Sequence, residues 1–359
     1  MAIHFSQKYK TVYLNKIQNI MLKNKSILIT GGTGSFGKKF TKLTLEKFNP
    51  KKIIIFSRDE MKQWDMAEKF KPLDPEQKIE YVIGDVREKE RLHRVMDDGI
   101  DFIVHAAATK IVPTAEYNPF ECIKTNIYGA MNVIEVAIEK KVKQIVALST
   151  DKACNPINLY GATKLASDKL FVAANLYTLN SRTCFSVVRY GNVMGSRGSV
   201  IPFFQERAKK GVLPITDERM TRFMITIEQG VKLVWHAFED SLGGEIYVYK
   251  IPSMKVTDIA LAISPNAKHE IIGIRPGEKI HEVMVSEEDA MSTYEYDWYY
   301  KILPTLKQWH LDPKRIKDGR AVQKGFVYSS EKNPNWMKID QLKHFLGSSD
   351  YRELQDLNL

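Results

Sequence analysis

The sequence predicts an α/β fold, a doubly wound parallel sheet with a smaller C-terminal lobe. Between residues 25 and 190, short runs rich in β-branched residues alternate with longer amphipathic segments, which is typical of repeated βαβ units. The first run leads directly into a glycine-rich turn, and the alternation ends near residue 192. With 359 residues, 44% of them hydrophobic, the chain can bury a large core.

The parallel sheet is expected to contain six strands, which suits a doubly wound arrangement. Beyond them, Glu245–Val248 and Glu270–Ile274 are expected to be isolated strands of the C-terminal lobe, which should close over the carboxyl ends of the sheet. The six predicted strands are Ser26–Thr30, Lys52–Phe56, Glu80–Ile83, Phe102–His105, Gln144–Leu148 and Ser186–Tyr190.

The composition argues against a membrane protein, a disulfide-stabilised protein and a metalloprotein. The longest apolar runs, such as residues 53–56 and 145–148, are far shorter than the roughly 20 residues that cross a bilayer. The N-terminus lacks the apolar segment of a signal peptide, so we expect a cytoplasmic protein. The three cysteines are far apart and the histidines form no cluster, so neither a disulfide nor a bound metal is expected.

The formal net charge of +10 is concentrated at the N-terminus. Residues 1–25 contain five lysines and no acidic residue, and we interpret residues 1–20 as a solvated basic extension. The sequence leaves open whether Met21 is the natural start. No pattern of an RNA-binding module or a zinc finger occurs, so nucleic acid is not an expected partner.

The glycine-rich turn after the first predicted strand is typical of a dinucleotide-binding site. Gly31, Gly34 and Gly37 have the G-x-x-G-x-x-G spacing between a strand and a helix. Glycine permits a tight turn and a close approach of the backbone to a pyrophosphate, which would bind the amides at the helix N-terminus. We therefore assign residues 21–191 to a Rossmann-type domain and residues 192–359 mainly to a substrate-binding lobe and C-terminal region. The other contact residues predicted in the turn are Thr33, Ser35 and Phe36.

The end of the second strand favours NADP over NAD as the cofactor. An acid at this position would bind the ribose 2′-hydroxyl of NAD, whereas Ser57 and Arg58 can bind a 2′-phosphate. Asp59 follows directly, so a solvated charged turn is the alternative interpretation. At the end of the fourth strand, His105 is interpreted as a structural histidine. Further cofactor contacts are expected from Asp85, Val86, Ala106, Ala107, Ala108, Leu148 and Ser149.

A tyrosine and a lysine on one predicted helix suggest the catalytic groups. Tyr160 and Lys164 are four residues apart and therefore share a helix face. The lysine ammonium would favour the phenolate of Tyr160, which could then act as a base near neutral pH, and would bind the nicotinamide ribose. The spacing is common in helices, but here it follows a dinucleotide fingerprint and five predicted strands.

Eight sequence runs carry a family resemblance that covers residues 22–336. They are TGGTGSFG, SRDE, GDVR, HAAATK, AEYNPFECIKTN, ALSTDKACNPINLYGATKLASDKLF, RYGNVMGSRGSV and IRPGEKIHEVM. Together they resemble the inverting UDP-N-acetylglucosamine 4,6-dehydratases of pseudaminic acid biosynthesis. The resemblance implies an extended short-chain dehydrogenase/reductase fold, tightly bound NADP, UDP-N-acetylglucosamine as substrate, and a 4-keto-6-deoxy sugar with inverted C5. The sequence departs from the family mainly in its N-terminal arm and at Thr109, Ile111 and Thr114.

The end of the fifth strand, Thr150-Asp151-Lys152, agrees with this resemblance. Dehydratases that retain the C5 configuration resemble this site but carry Thr-Asp-Glu, with the glutamate as C5 base. We therefore expect Lys152, neutral because burial and the nearby Lys164 lower its pKa, to remove the C5 proton. Tyr160, helped by Thr150, would take the O4 proton, and protonated Asp151 would donate to the departing 6-hydroxyl. A surface ion pair between Asp151 and Lys152 is the alternative interpretation.

Six residues are candidates for binding the nucleotide sugar. The resemblance places Lys110 and Asn192 near the sugar, and a diphosphate needs fixed cations such as Arg275. Each candidate could instead be structural, and Thr221 with Arg222 is a further possibility. The six are Lys110, Asn192, Val193, Arg197, Arg275 and Glu278.

Two other functions are weighed against dehydration. A nucleotide-sugar 4-epimerase would share the fold, Tyr160 and Lys164, but would not need Asp151 and Lys152. A non-enzymatic NADP-sensing protein would need neither pair. The resemblance also implies a homo-oligomer, a dimer or a hexamer, that forms through helices of the Rossmann domain, although the sequence itself does not define the oligomeric state.

Overall fold

The computed structural model describes residues 21–178 and 183–358, and the predicted basic extension lies outside the described residues. The described strands are β1 (Ser26–Thr30), β2 (Lys52–Ser57), β3 (Ile79–Ile83), β4 (Phe102–His105), β5 (Gln144–Thr150), β6 (Cys184–Tyr190), β7 (Asn192–Val193), β8 (Val212–Ile215), β9 (Thr221–Ile225), β10 (Ile246–Tyr249), β11 (Ser253–Lys255), β12 (Lys268–Ile271), β13 (Val283–Val285), β14 (Thr293–Glu295), β15 (Tyr299–Ile302), β16 (Arg320–Ala321) and β17 (Tyr328–Ser329). The described α-helices are α1 (Ser35–Phe48), α2 (Glu60–Phe70), α3 (Lys89–Met96), α4 (Val112–Tyr117), α5 (Pro119–Ile123), α6 (Gly129–Glu139), α7 (Leu159–Ala174), α8 (Val200–Ala208), α9 (Ile227–Asp240), α10 (Val256–Ile263), α11 (Glu287–Ala290), α12 (Pro313–Ile316), α13 (Ile339–Leu346) and α14 (Ser349–Asn358). Within these ranges no helix is both long enough and apolar enough to span a membrane.

A ten-stranded sheet forms the centre of the fold, in the order β16-β14-β15-β10-β6-β5-β4-β1-β2-β3. The strands from β10 to β3 in this order are parallel to one another. Antiparallel pairs then join β15, β14 and β16 to the sheet. The predicted doubly wound parallel sheet is confirmed, and all six predicted strands belong to it.

The two strands predicted beyond the sheet need correction. The segment predicted as an isolated strand at Glu245–Val248 is β10, which pairs with β6 and β15 inside the main sheet. The strand predicted at Glu270–Ile274 is β12, and it pairs with β8. The first error arises because residues 250–298, which contain several strands and helices, separate β10 from β15 in sequence, so the alternation of strands and helices does not reveal their pairing. The division of the chain at residue 191 stays a prediction, since later residues also extend the Rossmann sheet.

The strand order reverses between β1 and β4, and this opens a crevice at their carboxyl ends. The chain winds outward from β1 to β2 and β3 and then returns to β4 on the other side of β1. All five residues of β1 are buried, as expected for a parallel strand covered on both faces. Ligands of open α/β sheets bind at such a switch point.

The C-terminal lobe has its own hydrophobic core. Three small sheets, β7-β9-β11, β8-β12 and β13-β17, lie in this part of the chain, although Met284, Val285 and Tyr328 of the third sheet pack in the core of the main sheet. Separate elements contribute fully buried side chains to the core of the lobe, among them Ile201, Leu213, Met254, Ile259 and Leu342. Strand β13 of this lobe contacts the turn that follows β5, so the two halves of the chain meet at the end of the fifth parallel strand.

The C-terminal helix α14 packs against α1, the helix that follows the glycine-rich turn. Lys39 Nζ lies 3.1 Å from Glu228 and 2.9 Å from Glu353 of α14. The Ser35 hydroxyl donates to Asn358 Oδ1 over 2.6 Å. The last described helix therefore fixes the start of α1, a contact for which the sequence gives no signal.

Candidate active site

The glycine-rich turn lies against the end of β4. Gly31 has a φ of +68°, and a Cβ there would lie 2.8 Å from the Ala107 amide nitrogen, so a larger residue would be strained. A Cβ on Gly37 would collide with the Gly32 carbonyl. Helix α1 has no side-chain cap at Gly34, so its first amides are available to an anion. The turn fits a dinucleotide pyrophosphate.

The polar side chains of the turn are already engaged. Thr33 is buried, and the Ser35 hydroxyl, which donates to Asn358, accepts a hydrogen bond from the Arg197 amide over 3.3 Å. Phe36 packs against the main core. Ser35 therefore connects the turn to the loop that carries Arg197, and its backbone amide is the group left for a phosphate.

After β2, the Arg58 side chain is exposed, whereas the Asp59 side chain interacts with helix α2. The Asp59 carboxylate caps α2, accepting a hydrogen bond from the Lys62 amide over 3.0 Å and lying 2.6 Å from the Lys62 ammonium. These contacts lower the pKa of Asp59. The Arg58 side chain is 58% exposed and lies 3.6 Å from Asp85, whereas Ser57 is buried. The acid is used as a helix cap, and the guanidinium remains accessible to a phosphate.

The ends of β3, β4 and β5 follow at the same edge of the sheet. Asp85 accepts hydrogen bonds from the Arg87 amide over 3.0 Å and from Arg87 Nε over 2.8 Å, so an adenine amine would have to share these oxygens. The amides of Ala106 and Ala107 donate to the carbonyl and the hydroxyl of Thr30, which holds this segment close to β1. The remaining predicted cofactor contacts at this edge are Val86, Ala108, Leu148 and Ser149.

His105 is buried at the end of β4. Its Nδ1 lies 2.9 Å from the Thr30 hydroxyl in a hydrogen bond. Burial, together with the positive charge of Lys164, lowers the pKa of His105 to about 3. His105 is thus a neutral structural residue, in agreement with the sequence prediction.

Helix α7 starts against the turn after β5 and carries Tyr160 in its first turn. Asn158 caps the helix by accepting a hydrogen bond from the Gly161 amide over 2.7 Å, and a Cβ on Gly161 would collide with the Lys152 carbonyl. Burial raises the pKa of Tyr160 to about 12, although the charge of Lys152 and a hydrogen bond with Thr150 oppose the rise. The cations around Tyr160 must therefore supply the stabilisation that a phenolate needs.

Lys164, one turn further along α7, has a buried ammonium. The residue is 3% exposed. Burial lowers its pKa, and the negative charge of Asp168 opposes this. A buried lysine near His105 fits the hydroxyls of a nicotinamide ribose.

Asp151 and Lys152 follow β5 directly and meet Glu282 from the C-terminal lobe. Lys152 Nζ lies 2.9 Å from Asp151 Oδ1 and 3.3 Å from Glu282 Oε1. The Thr150 hydroxyl also donates to Asp151 Oδ1, over 3.0 Å. Both acids are buried, and among the described residues Asp151 Oδ2 and Glu282 Oε2 have no hydrogen-bond partner. The cluster is therefore not a solvated surface ion pair.

The expectation of a neutral Lys152 is wrong. Burial lowers the pKa of Lys152, but Asp151 and Glu282 together outweigh burial, so its pKa lies above the ordinary value. Lys164, the neighbour expected to lower it, is not among the charges that do so, and Arg222 is. Burial raises the pKa of Asp151 despite the opposing charge of Lys152. The ion pair and its neutral form differ by one proton moved along the 2.9 Å contact.

Glu282 was missed by the sequence reasoning. It lies in the run IRPGEKIHEVM, which supported the resemblance without a role for this residue. The available signal was an acid directly before the buried strand β13. Since the contact with Lys152 depends on how the two lobes pack, residue spacing could not reveal it.

Four of the predicted sugar-binding residues lie on the loops after β4 and β6. Lys110 Nζ donates to the Arg197 carbonyl over 3.0 Å, and the Arg197 amide contacts Ser35. Asn192 and Val193 form β7, which pairs with β9. The structure thus brings Lys110 and Arg197 together beside the dinucleotide turn.

Arg275 lines a cavity of about 490 Å³ in the C-terminal lobe, together with Arg207, Lys210 and Phe203. Three cations and an aromatic ring suit a nucleoside diphosphate. The Glu278 amide donates to the Arg275 carbonyl over 3.1 Å, so these two predicted residues share one turn. The other residues lining the cavity are Val212, Pro214, Glu270 and Ile272.

The guanidinium of Arg222, a further candidate for binding the nucleotide sugar, is engaged within the protein. Its guanidinium donates to the carbonyls of Thr221, Ile280 and Lys279 over 2.7, 3.0 and 3.0 Å. Its Nε lies 4.0 Å from Glu282 Oε1. Arg222 therefore holds the segment that leads to Glu282. Throughout the described ranges, no group of three or more His, Cys, Asp or Glu side chains could hold a metal ion.

The chain is similar to known proteins over most of its length. A sequence model of the family described as "Polysaccharide biosynthesis protein" matches residues 27–304. The chain is 56% identical to a protein of Campylobacter jejuni subsp. jejuni named UDP-N-acetylglucosamine 4,6-dehydratase (inverting), over 92% of this chain and 99% of that protein. It is 42% identical to a Rickettsia canadensis protein named UDP-glucose 4-epimerase, over 92% of this chain and 98% of that protein. Among solved structures, Pen from Bacillus thuringiensis matches with a TM-score of 0.84 and 35% identity, over 93% of this chain and 100% of that one.

Proposed function

The chain belongs to the polysaccharide biosynthesis protein family, and from that premise we propose that it is an NADP-dependent UDP-N-acetylglucosamine 4,6-dehydratase that inverts C5. The product would be UDP-2-acetamido-2,6-dideoxy-β-L-arabino-hex-4-ulose, the first intermediate of pseudaminic acid biosynthesis. One observation carries the proposal, namely the 2.9 Å contact between Asp151 and Lys152 beside Tyr160. Dehydration needs an acid and a base that can exchange a proton at this position.

The residues around the crevice fit NADP. When bound, NADP would supply the oxidation at C4 of the sugar and the reduction at C6. Gly31 and the start of α1 would hold the pyrophosphate, and the buried ammonium of Lys164 would hold the nicotinamide ribose. Arg58 would meet the 2′-phosphate, because Asp59 is used to cap α2.

The protein side chains would move the protons of the reaction. Tyr160, assisted by Thr150 and Lys164, would take the proton of O4, and the resulting C4 ketone makes the C5 proton acidic. Lys152 would pass its own proton to Asp151 Oδ1, and the neutral amine would take the C5 proton. Asp151 would then donate to the 6-oxygen as the C6–O bond breaks and water leaves. A proton that comes from solvent would then add to C5 on the opposite face and invert its configuration.

The nucleotide would bind in the C-terminal lobe. The cations of the cavity, Arg207, Lys210 and Arg275, would neutralise the diphosphate. Lys110, Asn192, Val193, Arg197 and Glu278 remain the residues proposed for the sugar. We also propose a cytoplasmic homo-oligomer, a dimer or a hexamer, whose size light scattering of the purified protein would determine.

A nucleotide-sugar 4-epimerase is the second candidate, because a relative with a related name matches almost the whole chain. Such an enzyme would use Tyr160 and Lys164 and would leave Asp151 and Lys152 without a role.

The test is incubation of UDP-N-acetylglucosamine with the purified protein in deuterated water, followed by proton NMR and mass spectrometry. Loss of one water with deuterium at an inverted C5 is the expected result. Conversion to UDP-N-acetylgalactosamine without a change in mass would assign the epimerase function, and no conversion would reject this substrate. The dinucleotide released by denaturation should be NADP, and NAD in its place would contradict the cofactor proposal.

A further inference from the structure

Glu282 gives Lys152 a second carboxylate partner, supplied by the other half of the chain. Lys152 Nζ lies 3.3 Å from Glu282 Oε1 as well as 2.9 Å from Asp151 Oδ1. Glu282 is 1% exposed and Asp151 is fully buried. Burying two carboxylates at one ammonium is costly unless all charges are well compensated. A structural ion pair would not need the second acid.

The backbone of Glu282 is fixed on both sides. Its amide donates to the Ser330 hydroxyl over 2.9 Å, and its carbonyl accepts from the Ser330 amide over 2.8 Å. Two residues further on, the Met284 carbonyl accepts a hydrogen bond from Arg189 of β6 over 2.8 Å. The glutamate is therefore held in a set position relative to the parallel sheet that carries Lys152.

Few other charges face Lys152 and Glu282. Arg222 lies 4.0 Å from Glu282. Lys279 donates to the Cys154 carbonyl over 2.6 Å and so has its own partner. The titratable groups that face the pair from the surrounding elements are Asp151 after β5, Tyr160 of α7, Arg222 of β9 and Lys279 before β13.

We propose that Glu282 is a positioning residue for the dehydration: it holds the Lys152 amine at Asp151 and stabilises the positive charge that Lys152 gains from the C5 proton. The inference rests on the proposed function and deepens it. In this step the C5–H bond breaks and its proton goes to Lys152 Nζ. The electron pair is delocalised into the C4 ketone and then forms the C5–C6 double bond as the C6–O bond breaks. The Asp151 proton leaves with the 6-oxygen as water, and Glu282 stays ionised throughout.

The variant Glu282→Gln removes the negative charge at nearly constant shape. An opposite charge within about 4–6 Å shifts a pKa by about 1–3 units. The acidic side of the pH–rate profile follows the loss of a proton from Asp151, whose pKa Glu282 raises, so removing this charge should move the midpoint downward by about 1–3 pH units. The maximal rate should also fall, because the amine becomes a weaker base. The KM for the nucleotide sugar should change little, since Glu282 acts through Lys152.

The experiment follows water loss from UDP-N-acetylglucosamine by the NADP-loaded enzyme between about pH 5 and 10. Glu282→Asp keeps the charge and should keep the midpoint of the unsubstituted enzyme. Glu331→Gln, which removes an exposed carboxylate from the same lobe, should change neither midpoint nor maximal rate. A lower rate of Glu282→Gln with an unmoved midpoint would show a purely structural role and overturn the proposal. A lack of water loss by the unsubstituted enzyme would instead reject the proposed function.

A measurement on the unsubstituted protein covers the case in which Glu282→Gln does not fold. NMR of lysine labelled with ¹³C at Cε reports the charge of each amine, and Lys152→Arg assigns the signal. In the absence of sugar, Lys152 should remain an ammonium up to at least about pH 10. A neutral Lys152 near pH 8 would overturn the proposal.

Discussion

Replacing Lys152 by methionine would leave Asp151 and Glu282 as two buried carboxyl groups without a cation between them. Methionine has the shape of the lysine stem, so the change acts mainly on charge. Breaking a buried ion pair by removing one partner lowers the free energy of unfolding by about 3–5 kcal/mol. We expect about 3 kcal/mol, because 22% of the Lys152 side chain is exposed and Arg222 still faces Glu282.

The loss of stability should depend on pH with a defined sign. In the variant, both buried carboxyl groups have a pKa above the value of about 4 that they have in the unfolded chain. Between these values the folded variant binds more protons than the unfolded chain, so its stability falls as the pH rises. In the unsubstituted protein, the raised pKa of Lys152 gives stability that is fully present below the unfolded value of about 10.4. The deficit of the variant should therefore be larger at pH 8 than at pH 5.5.

Thermal melting followed by circular dichroism at both pH values measures this effect. With an unfolding entropy of about 2.1 cal/mol/K per residue over 359 residues, a loss of about 3 kcal/mol corresponds to a Tm lower by roughly 4 °C. The double variant Lys152→Met/Glu282→Gln should recover part of the loss at pH 8, since only one buried carboxyl group remains. The reasoning would be refuted if Lys152→Met melted at the same temperature as the unsubstituted protein at pH 8. It would also be refuted if the fall in Tm were larger at pH 5.5 than at pH 8.

Three further substitutions test the cofactor and catalytic groups. Arg58→Ala should weaken NADP binding roughly tenfold and leave NAD binding unchanged, because the guanidinium would contact only the 2′-phosphate. Fluorescence titrations measure both affinities, and an equal loss of affinity for both dinucleotides would contradict this role. Gly31→Ala should lower the free energy of unfolding by about 1–2 kcal/mol and weaken NADP binding, since the new Cβ would lie 2.8 Å from the Ala107 amide. Thermal melts with and without NADP should show both effects. An unchanged rise in Tm on addition of NADP would argue against this turn as the dinucleotide site. Tyr160→Phe should lower kcat at least about 100-fold with little change in KM, and a kcat within a few-fold of the unsubstituted enzyme would remove Tyr160 from the role of base.

The Rossmann half of the fold could be predicted because its signals are local. Each parallel strand is a short buried run, and β1 leads into a turn whose glycines are required by backbone geometry at that very place. Tyr160 and Lys164 were paired correctly on one helix because helical spacing alone puts them on the same face. In each case the interaction that determines the structure lies within a few residues of the signal.

The rest depends on contacts between distant segments. Strand β10 pairs with β6 and β15 in the main sheet, and helix α14, near the C-terminus, contacts Ser35. Neither segment has a sequence pattern that indicates which residues it contacts. For the same reason, the pKa of Lys152 was predicted to shift in the wrong direction. Asp151, which raises the pKa of Lys152 most, was visible in the sequence, but Glu282 adds to this rise from the other lobe.

The fold by itself does not separate a dehydratase from an epimerase, since relatives with both names match nearly the whole chain. Tyr160 and Lys164 serve either reaction, because both begin with oxidation at C4. Only dehydration must also break the C5–H and C6–O bonds on adjacent carbons, which requires a base and an acid within reach of each other. Asp151 and Lys152 meet this requirement over 2.9 Å. Glu282 adds a second buried carboxylate to that pair over 3.3 Å, so the proposed chemistry also depends on how the C-terminal lobe packs against the parallel sheet.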